Sequence, residues 1–160
     1  MSARLKGRRR EVERLVEAVG AWAAARADVA AFGVVGSYAS HRAGMASDVD
    51  FVLLTSNPEL YGAWTGDSSP LAPVQLIRHQ QWGPIVEWRF RRPSALHVEL
   101  NVATPSWADL SLLDPGTARV VRDGLQIVHD PAALLARAQS VVATTRSPAG
   151  LSPASRRPLR

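Results

Sequence analysis

Residues 30–35 and 48–55 constrain the fold more than any other part of the chain. The first run, Ala-Ala-Phe-Gly-Val-Val, is short and apolar, enough for one buried strand. The second carries Phe51, Val52, Leu53 and Leu54 in succession and is therefore apolar on both faces. A strand of that kind belongs at the centre of a sheet with packed layers on either side. Gly36-Ser37 interrupts the chain directly after the first run, residues 38–42 suit a helical turn, and Gly44 and Ser47 mark a connection.

The remaining segments complete an α/β domain. Residues 11–26 read as a helix, with Val12, Leu15, Val16, Val19, Trp22 and Ala23 on one face, Glu13, Arg14 and Glu17 opposite, and Gly20 as a blemish. A short helix is expected near residues 59–64 and a strand at 74–78. Residues 85–90 and 96–102 are rich in β-branched and aromatic side chains and predict a hairpin across a longer loop. Asp114-Pro115-Gly116 opens a helix that Gly124 ends, residues 125–129 form a strand, and Asp130-Pro131 starts a helix over 132–143. The expected architecture is a single α/β (α+β) domain over residues 11–144, a mixed β-sheet with helices packed against it. Residues 1–10 form a basic N-terminal segment and 145–160 a disordered basic tail.

Composition narrows the function classes. Apolar residues make up 46% and charged residues 21% of the 160, which excludes wholesale disorder. The most apolar stretch, residues 15–32, contains Glu17, Arg26 and Asp28, so no membrane span is expected. A secretory leader is not expected either, and cytoplasmic residence follows as the default. There is no cysteine, hence no disulfide framework and no thiolate chemistry. Of the 19 basic residues, 9 lie in residues 1–10 and 146–160; the body keeps 10 against 14 acidic residues. The net charge of +5 thus belongs to the ends, read as solvated and frayed, and a nucleic-acid partner is not expected.

The chemistry concentrates in residues 34–55. Asp48 and Asp50 are two apart on a strand, so their side chains share a face. Adjacent carboxylates at the start of an apolar strand repel each other and resist burial, unless a divalent cation lies between them. Magnesium suits such hard oxygen ligands. Gly36 permits close backbone approach to a ligand, and with Ser37 it opens a helical turn whose free amides and hydroxyl suit phosphate. One side of the site is fit for phosphate and the other for metal.

The order apolar-Gly-Ser, ten residues, then Asp-apolar-Asp-apolar resembles the signature of the polymerase-beta-like nucleotidyltransferase superfamily. The likeness is to its small members, the kanamycin, lincosamide and minimal nucleotidyltransferases. The resemblance implies that Gly36 and Ser37 contact phosphate, that Asp48 and Asp50 bind Mg2+ (or Mn2+), and that a third carboxylate on a later strand completes the site. Glu99, in an apolar strand, is the better match for that third acid. Glu87 is a second candidate, for the acceptor or as a base. If Phe90 pairs with Leu96, Glu87 faces Glu99, with Arg89 the nearest counter-charge. Many relatives carry Arg-Gly where this chain has His41 after Ser40; Arg42 is the candidate substitute in nucleotide binding.

The function so implied is transfer of NMP from a nucleoside triphosphate, ATP in the first instance, to a hydroxyl of an acceptor. That acceptor is a small molecule such as an antibiotic, or a protein or tRNA. A homodimer or a toxin-type partner would complete an acceptor site in so short a chain. The alternative is a non-catalytic nucleotide-binding or antitoxin-type module that keeps the fold. The four histidines show no metal-ligand spacing, and packing is the expected role of Trp64, Trp82, Trp88 and Trp107.

Overall fold

The computed structural model describes residues 1–61, 69–109 and 113–144. Its elements run α1 (Ala3–Ala24), β1 (Val29–Val35), α2 (Gly36–Ala39), β2 (Val49–Thr55), β3 (Gln75–Trp82), β4 (Ile85–Arg91), β5 (His97–Ala103), α3 (Pro115–Asp123), β6 (Leu125–His129) and α4 (Leu134–Thr144). Single 3-10 turns cover Pro58–Tyr61 and Pro105–Ala108. The six strands form one mixed sheet in the order β3-β4-β5-β2-β1-β6. Only β2 and β5 pair in parallel; the other neighbours are antiparallel.

Strand alternation divides the core into two layers. Val49, Phe51 and Leu53 of β2 join Phe32, Phe90, Leu100 and the buried stripe Val12, Leu15, Val19 and Ala23 of α1. Phe32 and Phe51 meet edge to face at 5.1 Å between ring centroids. On the opposite face Val52 and Leu54 pack with Trp107, Val121, Leu135 and Ala138. The central strands β1 and β2 are thus covered on both sides, as their apolar runs require. Gly20 has a packing reason, since a Cβ there would come within 2.7 Å of Val128 Cγ1. It lets α1 lie close against β6.

Several boundaries differ from expectation. The first helix starts at Ala3 rather than at residue 11. Ser2 caps it by accepting from the Leu5 amide at 3.2 Å, and Arg8 donates to the Ser94 carbonyl at 2.8 Å. The basic segment is therefore helical and anchored to the β4–β5 connection, not frayed. β3 extends to Trp82 and forms a hairpin with β4 around Gly83. Its polar half, His79-Gln80-Gln81, carries no apolar alternation because the strand is exposed along most of its length. α4 begins at Leu134, where Asp130 accepts from the Leu134 and Ala136 amides at 2.8 and 2.9 Å. The expected helix at 59–64 is a 3-10 turn as far as Tyr61. Its remainder, Trp64 and the tail at 145–160 lie outside the described residues.

Candidate active site

The parallel pair β2–β5 sets Asp50 and Glu99 in direct register. Both lie on the sheet face opposite α1, because Phe51 and Leu100 beside them point into the α1 layer. Their carboxyl groups line the same cavity and interact with each other. Two carboxylates so placed cannot both stay ionised at no cost. Burial, the hydrogen bond with Glu99 and the charges of Glu99 and Asp48 push the Asp50 carboxyl up to about 8, while Arg89 pulls the other way.

Gly36 stands on the other side of Asp50. It ends β1 with φ of 73°, and a Cβ at this position would collide with Asp50 Oδ2. Glycine is thus needed twice over, for the left-handed backbone and for the approach to the carboxylate. Ser37 follows on the first turn of α2, half-buried, and Ser40 Oγ donates back to the Gly36 carbonyl at 3.2 Å. Beside these residues opens a cavity of about 260 Å³ lined by Gly36, Asp50, Glu99, Asn101, Trp107 and Val120 among others. Its floor is the sheet; its walls come from α3 and the 3-10 turn. Trp107 is buried there, and its indole N–H has no hydrogen-bond partner among the described residues.

Asp48 shares the region but not this pairing. Its Oδ2 accepts from Arg89 Nη2, and its Oδ1 lies 3.9 Å from His97 Nδ1. Arg89 Nη1 is also 3.4 Å from Glu99 Oε1. The guanidinium therefore bridges two of the three acids. Among the described residues no three acidic or histidine side chains are grouped closely enough to form a ready metal site. Asp50 and Glu99 alone fit a hard divalent cation, as neighbouring oxygen donors in one cavity with a charge to neutralise. Asp48 fits once Arg89 leaves it.

The register of the β4–β5 hairpin corrects one expectation. Arg89, not Glu87, faces Glu99; Phe90 pairs with Val98, and Glu87 faces Asn101. Opposite charges thus stand across the ladder in place of like ones. Glu87 is buried, and both its oxygens are taken, by Arg78 Nη2 and Trp82 Nε1, each at 2.8 Å. Arg42 is exposed and donates to Ser40 Oγ at 3.1 Å; it is not part of the cavity lining. Sequence reading passed over Asn101, which anchors to the Phe51 carbonyl at 3.1 Å, and gave Arg89 no site role. Its alternation with Glu87 along β4 was the available signal.

No protein-family model matches the chain, and no curated protein matches it in sequence. Among the described residues no helix is long and apolar enough to cross a membrane. The structure is a mixed α/β single domain, and its site is defined by its own geometry.

Proposed function

We propose that the chain is a nucleotidyltransferase dependent on Mg2+ or Mn2+, moving NMP from a nucleoside triphosphate such as ATP to an acceptor hydroxyl. The observation that carries this reading is the pairing of Asp50 with Glu99 in register on β2 and β5, in one cavity with the side-chain-free Gly36. Carboxylates that repel each other are retained where a cation is to be held, and bare backbone where phosphate is to approach. A bound divalent cation would neutralise phosphate oxygens and polarise the α-phosphorus.

The chain's residues divide the work. Asp50 and Glu99, joined by Asp48, would hold the cation. Gly36 and Ser37 would receive the phosphates. The acceptor oxygen forms a bond to the α-phosphorus, the α–β anhydride breaks, and pyrophosphate leaves. Glu99 would take the acceptor's proton. Glu87 has a structural part instead, since its two oxygens already tie Arg78 and Trp82 into the β3–β4 hairpin.

A second reading, a non-catalytic nucleotide-binding module or an antitoxin-type partner, is favoured by one observation. Arg89 pairs with Asp48 and Glu99, and Arg42 lies off the cavity. Incubation with labelled ATP, Mg2+ and candidate acceptors separates the two. Transfer lost in Asp50→Asn supports the enzyme. Magnesium-dependent ATP binding without transfer to any of a panel of small hydroxylated molecules, proteins and tRNA supports the module.

A further inference from the structure

Three carboxylates and one guanidinium share the end of the sheet. Arg89 stands opposite Glu99 in the β4–β5 ladder and bonds to Asp48 from its other side. Its remaining donor, Nε, is buried and has no acceptor among the described residues. Arg92 is a useful contrast on the far side of the hairpin. There Nε donates to Glu11 at 3.1 Å and Nη1 to the Leu71 carbonyl, so the side chain is held by a fitted set of partners. An unmet buried donor costs free energy. Arg89 is held in place by two anions and not by a cradle made for it. Its side chain is 22% exposed, and those of Asp48 and Glu99 are 30% and 21% exposed, so water and ions reach the group.

We propose that Arg89 is a resident counter-cation that competes with a divalent metal ion for Glu99 and Asp48. The inference rests on the metal-binding reading above and adds the device that regulates it. Arg89 bonds Asp48 and Glu99 and leaves Asp50, in register with Glu99, as the point of entry. A cation arriving between Asp50 and Glu99 repels a guanidinium a few ångströms away, and the same carboxylate oxygens cannot serve both. Loading the site therefore frees Arg89 from its acids. The freed guanidinium stands beside the cavity with all its donors available for phosphate oxygens, which it suits by its fork geometry. It would supply the positive charge that Arg42, turned to Ser40, does not bring to the cavity. Apo protein would stay paired and folded; loaded protein would present a cation and an arginine together.

The test is calorimetric titration of MnCl2 into the full chain without nucleotide, for the wild type, Arg89→Met and Asp50→Asn. Removing the competitor should tighten Mn2+ binding about tenfold in Arg89→Met, in the range of ordinary binding linkage. It should also lower the melting temperature in chelator and enlarge the rise that Mn2+ brings. A purely structural arginine would lower the melting temperature without tightening metal binding. Unchanged or weaker binding by Arg89→Met, with wild type binding and Asp50→Asn not, overturns the role of Arg89 and leaves the metal reading standing. No binding by either wild type or Arg89→Met overturns both. Binding by Arg89→Met alone supports the competition in its strongest form. Should Arg89→Met not fold, Arg89→Gln, which drops the charge and keeps hydrogen-bonding capacity, serves in the same titration with the same expected tightening. The wild type gives an independent readout. Titration with Mg2+ should shift the Arg89 Nε–Hε resonance of 15N-labelled protein, and a static resonance while the Asp50 amide moves overturns the proposal.

Discussion

Asp50 and Glu99 are register partners on neighbouring parallel strands, with both carboxyl groups in one cavity on the face turned away from α1. No apolar core requires this pairing, and the repulsion in it opposes folding. The site is thus a place where stability is given up, and substitutions there should separate stability from chemistry.

Asp50→Asn removes one of the repelling charges while keeping shape. In chelator it is expected to raise stability by about 0.5–2 kcal/mol, as relief of a strained functional group commonly does. Loss of a cation ligand should at the same time cut magnesium-dependent transfer by about 100-fold or more, since several kcal/mol of charge stabilisation are removed. Urea melts beside a transfer assay check both. A variant less stable than wild type in chelator would contradict the repulsion.

The raised Asp50 carboxyl gives a pH dependence of definite sign. Its ordinary value is 3.8 and its folded value about 8. Between these limits the folded chain keeps a proton that the unfolded chain has released, so stability in chelator falls as pH rises from about 4 to 8 and levels off above. The slope is at most about 1.4 kcal/mol per pH unit. Urea midpoints at pH 5, 7 and 9 measure it. Asp50→Asn should flatten the profile, and so should saturating Mn2+, which displaces the proton from the folded chain.

Gly36→Ala places a methyl against Asp50 Oδ2 on a backbone with φ of 73°. A left-handed non-glycine residue alone costs about 1–3 kcal/mol. Here the collision is with the carboxylate proposed to hold the cation, so Mn2+ affinity should fall as well. Melting and calorimetry on this variant would show either loss without the other if Gly36 served only the turn.

Asp28 is a hub remote from the site. It accepts from Tyr61 at 2.6 Å, from Thr55 at 3.0 Å and from Arg26 at 2.9 Å. Burial pushes this carboxyl up, but the hydrogen bonds from Tyr61, Thr55 and Arg26 outweigh it and hold the group below its ordinary 3.8. Its stabilising contribution is therefore complete above about pH 4 and is lost as pH falls through the lowered folded value. Asp28→Ala removes the acceptor shared by Tyr61, Thr55 and Arg26 and should cost about 2–4 kcal/mol. Thermal melts at pH 7 and acid titration of both chains provide the check.

Glu87→Gln should loosen the β3–β4 hairpin, seen as faster amide exchange at Arg78 and Trp82. Mn2+ affinity should stay within about twofold, because the group shares no partner with Asp50. A large loss of metal affinity would return Glu87 to the site.

The sequence disclosed the central sheet because its strands are uniformly apolar. Residues 30–35 and 51–54 have no other way to be buried, and Asp50 stands out among them. The hairpin register was not legible. Pairing Phe90 with Leu96 or with Val98 keeps every side chain on the same face, since a period of two is blind to that shift. Charge would have chosen between them, setting Arg89 and not Glu87 opposite Glu99. The actual loop closes through Arg92 and Leu96, with Ala95 at φ of 67°, a conformation that alanine does not advertise. The far half of β3, residues 79–82, escaped for a different reason. An exposed outermost strand needs no apolar face, and its hydrogen bonds to β4 leave little trace in composition.

The parallel pairing of β2 with β5 has a temporal meaning too. The β3–β4 hairpin is synthesised between them, so a nascent chain carries Asp48 and Asp50 long before Glu99 leaves the ribosome. Contacts of such separation close late. The acid pair is then among the last arrangements that folding produces, and a product truncated ahead of residue 99 keeps both aspartates without ever acquiring their partner.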